Sequence, residues 1–117
     1  MNQESFSPDG RIRVDWGVST GRMSHEIWSP RIIDVETGQV LLDLWEDGSW
    51  DASIRWLEDG LMHMSIRHYS EGGATILKVT VDRTNNIFRV DDGEPQPLNR
   101  LPEQVPKAFW RKSQGHD

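Results

Sequence analysis

Apolar and polar residues alternate in short runs along this chain, and Gly, Asp and Asn cut the runs apart, which is the pattern of strands joined by tight turns. From Arg11 to Trp16, Ile12, Val14 and Trp16 fall on one face, and Arg11, Arg13 and Asp15 on the other. Gly17 to Gly21 reads as a loop and Arg22 to Trp28 as a second strand. Pro30 has no N–H to donate and is expected to break or bend the pairing before a third strand over Arg31 to Val35. Val40, Leu42 and Leu44 alternate with Leu41, Asp43 and Trp45 in a fourth. The cleanest alternation is the fifth, with Trp50, Ala52, Ile54 and Trp56 against Asp51, Ser53 and Arg55. In the sixth, Met62, Met64, Ile66 and His68 oppose Leu61, His63, Ser65, Arg67 and Tyr69, so His63 and His68 are expected on opposite faces. Thr75–Val81 and Ile87–Val90 complete about eight strands.

The punctuation has physical content. In Ser7-Pro8-Asp9-Gly10, Pro presets φ, Asp bonds nearby backbone and Gly accepts positive φ. Asp47-Gly48 and Asp59-Gly60 are hairpin-type pairs. Beyond Val90 the character changes. Asp91 to Pro97 is rich in Pro and acid, and Pro102 and Pro106 predict a short helix starting near Pro106 rather than one continuous helix. Phe109 or Trp110 is expected to dock on the sheet.

The chain reads as a single domain over residues 1–117, with an internal repeat near 7–45 and 55–90 and a tail over 91–117. Ser7–Gly10 and Leu57–Gly60 each lead into a strand, and the turn Asp34–Gly38 parallels Asp82–Asn86. Spacings near 50 suit units of about four strands. Ser-Pro-Asp-Gly at 7–10, Asp-Val-Glu-Thr-Gly at 34–38 and Trp-Leu-Glu-Asp-Gly at 56–60 resemble the turns of β-propeller blades. Two blades are too few to close a propeller, so the expected fold is all-β: two antiparallel, blade-like meanders forming a sandwich or a rolled, barrel-like sheet, with a short C-terminal helix or irregular tail. Separately, Gly21–Trp28, followed by Pro30 and the Thr-Gly turn, is similar to a small group of uncharacterised bacterial proteins. That resemblance implies a bacterial origin and attaches no activity.

Composition narrows the chemistry. Of 117 residues, 13 are basic and 19 acidic, for a net charge of −6. The surplus lies in residues 1–58, with five basic and eleven acidic side chains, whereas residues 59–117 hold eight of each. Phosphate-backbone binding draws on Lys and Arg, so neither nucleic acid nor an anionic membrane is the expected partner. A basic protein is, because an acidic face steers such a partner. Self-association through exposed sheet edges is the other expectation. No cysteine is present, which excludes disulfides and thiolate ligands. The first residues lack the pattern of a signal peptide, so the expected location is cytoplasmic.

Candidate chemistry is sparse. No Gly-x-Ser-x-Gly, P-loop, dinucleotide-binding or His-Glu-x-x-His pattern occurs, and neither a metal nor another cofactor is expected. Asp43, Glu46, Asp47 and Asp51 cluster around a hairpin between Trp45 and Trp50, without the ligand spacing of a calcium loop. Trp45 shares a face with Asp43, opposite Leu42 and Leu44, which makes it the tryptophan to expect at a binding surface. Trp16, Trp50 and Trp56 are expected in the core. Arg22, Ser24 and His25 are the candidates for a small polar or anionic ligand site, or for an enzyme centred on them. The reading that follows is a non-catalytic binding or protein-interaction module, of the kind an inhibitor or immunity protein represents, with that ligand site as the alternative.

Overall fold

A computed structural model describes residues 2–20, 26–46, 48–57, 60–69 and 75–114, and among these described residues are nine strands and one α-helix. The first sheet runs in sequence order β1 (Asn2–Phe6), β2 (Ile12–Thr20), β3 (Glu26–Asp34) and β4 (Val40–Asp43). The second follows the same plan with β5 (Trp50–Trp56), β6 (Leu61–His68), β7 (Leu77–Asp82), β8 (Ile87–Val90) and β9 (Gln96–Pro97). Every pairing is antiparallel. The expected pair of meanders is therefore present, as two open sheets rather than a closed barrel.

One core serves both sheets. Ile12, Val14, Ile32 and Leu42 from the first join Met62, Met64, Ile66, Val79, Val81 and Phe88 from the second in a single buried cluster. Trp50 is buried in it, while Trp16 and Trp56 pack against it only partly buried. His68 is buried and His63 exposed, as alternation along β6 requires.

Pro30 does not interrupt β3. Trp28 N–H points to Asp51, and the Pro30 carbonyl accepts from Leu44 N–H, so the backbone at these positions faces away from β2. Pro30 therefore sits opposite Trp16 without removing a ladder bond. The predicted loop from Gly17 is likewise strand, since β2 runs on to Thr20. In exchange, β1 lies ahead of the Ser7–Gly10 turn, where the sequence shows no alternation.

That turn is closed from within. Ser7 Oγ donates to Asp9 Oδ1 at 2.6 Å and accepts from Ile12 N–H, while Arg11 N–H also reaches Asp9 Oδ1. These two hydrogen bonds hold the Asp9 carboxyl below its ordinary range.

The helix departs from expectation as well. Leu101–Ser113 (α1) is one helix, preceded by a 3-10 turn over Leu98–Arg100. Pro102 lies in the first turn, where its missing N–H costs nothing, and Pro106 removes only the bond that would reach the Pro102 carbonyl. Leu101, Val105 and Phe109, four apart, form the buried stripe that offsets this loss. Phe109 meets Trp50 edge-on, with ring centroids 5.0 Å apart. Among the described residues no helix is long and apolar enough to cross a membrane.

Side chains stitch the two sheets together where β5 begins beside β3. Ser29 Oγ donates to the Trp50 carbonyl at 2.6 Å, Asp51 Oδ1 accepts from Trp28 N–H at 2.8 Å, and Ser19 Oγ donates to the Gly48 carbonyl. At the far end the β3–β4 and β7–β8 turns are clasped. Arg83 reaches Asp34 Oδ2 at 3.1 Å, Glu36 Oε1 at 2.9 Å and Asn86 Oδ1 at 3.0 Å. Gly38 and Asn86, which end the two turns, both have positive φ (75° and 55°).

Candidate functional site

Register on the first sheet assembles a surface from residues far apart in sequence. On its outer face one row reads Phe6, Arg13, Ile33 and Val40 across the four strands, and the next reads Glu4, Asp15, Arg31 and Asp43. Val35 lies just beyond, two residues after Ile33. Phe6 and Val40, at the two ends of the first row, and Val35 remain 49%, 45% and 43% exposed, while Ile33 is buried.

The charged row is internally paired. Arg13 grips Asp15 with two hydrogen bonds, at 2.9 and 3.1 Å. The hydrogen bond to Asp15 holds the Arg13 guanidinium above its ordinary value; partial burial opposes this, and the charges of Asp15 and Glu4 add to it. Arg31 Nε meets Asp43 Oδ2 at 3.0 Å, and the other Asp43 oxygen accepts from Trp45 N–H.

Trp45 completes the face. The Arg31 guanidinium lies 3.7 Å from the centre of its ring, within cation–π range. The ring also lies against Gly17, where a Cβ would come within 3.2 Å of Cε2. Both Arg31 and the Gly17 backbone thus lie close to the Trp45 ring. Its Nε1–H donates to the Asp15 carbonyl at 3.2 Å. The indole is thus a fixed part of the surface rather than an open stacking platform. Arg31, Asp43, Trp45 and Glu46 line a shallow hollow of about 390 Å³ there.

The structure brings Asp43, Trp45 and Glu46 together as the sequence suggests. Asp51 stands apart, accepting Trp28 N–H with one oxygen and pairing with Arg67 Nε at 3.3 Å through the other. Arg22, Ser24, His25 and Asp47 lie outside the described residues. Sequence reasoning missed Phe6, Val35 and Val40 as a group, because only the register of four strands places Phe6 and Val40 at the two ends of one row. Among the described residues no three His, Asp or Glu side chains are placed to hold a metal ion. The face sets exposed apolar side chains beside fixed charges.

Compared with family models, with curated proteins and with solved structures, the chain matches none. Its own surface has to carry the functional argument.

Proposed function

We propose that this chain is a non-catalytic protein-interaction module that docks through the outer face of its first sheet onto a protein with an apolar contact patch and a basic rim. The observation that carries this reading is that Phe6, Val35 and Val40 are each over 40% exposed, with Phe6 and Val40 at the two ends of the outer row that runs through Arg13 and Ile33. Carboxylates favour a basic rim: Glu4, Asp15, Asp43 and Glu46 outnumber Arg13 and Arg31 on this face, within a molecule of net charge −6. Apolar side chains at the centre of a contact supply most of its affinity, and surrounding charges set its rate and selectivity. An inhibitor or immunity-type protein that masks a basic partner is the specific form of this reading.

The test uses immobilised wild-type protein and its Val40→Lys variant, with any retained partner identified by mass spectrometry and its dissociation followed as salt is raised. The substitution removes apolar contact and sets a like charge against the partner's rim. The expected result is a partner with a basic contact surface, bound at least ~10-fold more weakly by the variant, in a complex that salt weakens. Absence of any retained partner, equal retention by the variant, or indifference to salt would overturn the reading.

A further inference from the structure

The outer face of the second sheet carries an array of a different kind, independent of the docking face above. Register places Ser53, Ser65 and Lys78 in one row across β5, β6 and β7, and Arg55, His63 and Thr80 in the next. Together they floor a concavity of about 420 Å³. Same-face neighbours on adjacent strands have Cβ atoms about 5 Å apart, and successive rows lie roughly 7 Å apart along a strand. The six side chains therefore cover a patch of about 7 by 10 Å.

Arg13, Arg31, Arg67 and Arg83 each have a carboxylate partner. Among the described residues, Arg55 and Lys78 have none, and no hydrogen bond engages the hydroxyls of Ser53, Ser65 and Thr80. Among the described residues Arg89, Arg100 and Arg111 also lack a carboxylate partner, but on this patch two such cations share a face with free hydroxyls. Two free cations, an imidazole and three hydroxyls on one small patch suit a compact group rich in acceptor oxygens. We infer that this patch binds a soluble phosphate-bearing small molecule, a phosphate ester or diphosphate, with Arg55 and Lys78 on the anionic oxygens and the hydroxyls donating between them.

A long polyanion fits less well. The ground around the patch is neutral or acidic: Asp51 is tied to Arg67, Asp91 to Lys112, and Asp92 stands on the rim of the concavity. Arg89, next in the row beyond Thr80, turns away to the Gly93 carbonyl.

Amide NMR titration with pyrophosphate, inorganic phosphate, sulfate and a Glu-rich peptide provides the test. Pyrophosphate is expected to shift resonances in residues 53–55, 63–65 and 78–80, and to bind more tightly than sulfate. The double variant Arg55→Gln/Lys78→Gln should weaken binding at least ~10-fold, while Asp92→Asn should tighten it by ~2-fold, because a repelling charge leaves the rim. A structural role alone would not give opposite signs. Absence of shifts with pyrophosphate, sulfate binding as well as pyrophosphate, the peptide binding the same residues more tightly, or variants that bind like wild type would each overturn the inference.

Discussion

Removing Arg83 should damage this fold more than removing any exposed charge. Its side chain is 10% exposed and Asp34, one of its partners, 8%, so both charges are held away from water at the meeting of the β3–β4 and β7–β8 turns. Asp34 would keep only the Glu36 N–H, at 3.0 Å, if Arg83 became Met. Breaking a buried pair from one side costs ~3–5 kcal/mol, because it strands the remaining charge. The lower end of that range applies here, since Arg83 Nε is itself buried without a partner and its loss relieves a penalty. Glu36, also bound to Arg83 but 57% exposed, is the control, and Glu36→Gln should cost below ~1 kcal/mol. Urea unfolding reads the difference. With a slope of ~1–3 kcal/mol per molar, Arg83→Met should lower the midpoint by about 1–3 M without changing the slope. The double variant Arg83→Met/Asp34→Asn removes both charges and should recover part of the loss. An Arg83→Met midpoint no lower than that of Glu36→Gln, or a double variant no better than Arg83→Met alone, would refute the account of a stranded charge.

Two further outcomes test the local geometry. Gly17→Val should push the Trp45 ring off the sheet, at a cost of ~1–3 kcal/mol, and move the Trp45 indole N–H resonance as its bond to the Asp15 carbonyl is lost; an unmoved resonance would contradict the close approach of the ring to Gly17. Asp9 has its folded pKa below the unfolded value, so its charge stabilises the protein above the ordinary carboxylate range, and that contribution is lost as pH falls through the depressed value. Asp9→Asn should therefore be less stable than wild type at neutral pH, with a deficit that shrinks in acid; a deficit independent of pH would rule out the charge as its source.

Alternation made the inner faces legible before any coordinates. Trp50, Ala52, Met62, Met64, Ile66, Val79 and Val81 fall where period two puts them, because one side of each strand must leave water. Three features escaped for physical reasons. The strand β1 has no apolar period, since its place depends on pairing with β2 rather than on burial. Pro30 reads as a breaker unless the direction of the N–H it lacks is known. Pro106 reads as a helix start unless the stripe Leu101, Val105 and Phe109 is weighed against a single lost bond. Of the candidate site, the local cluster of Asp43, Trp45 and Glu46 was legible. Its apolar part was not, because Phe6 and Val40 share a row only through the ordering of four strands.

The acidic surplus also takes on a different meaning once partners are known. Read from composition, the eleven acidic side chains in residues 1–58 suggest an open negative field. In the fold, Asp15 and Asp43 are held by arginines on the outer face, Asp34 is buried against Arg83, and Asp51 fastens β3 to β5. Several of these carboxylates are thus fixed in place, and a fixed pair presents a dipole to an approaching partner rather than a full charge. Glu4 and Glu46 have no such partner among the described residues and are exposed. A basic partner would feel chiefly those two charges at close range, with the net charge of −6 acting only within a Debye length of ~10 Å at ordinary salt. Under the proposed function, electrostatics on this face would orient a partner, and the exposed apolar groups Phe6, Val35 and Val40 would decide how long it stays.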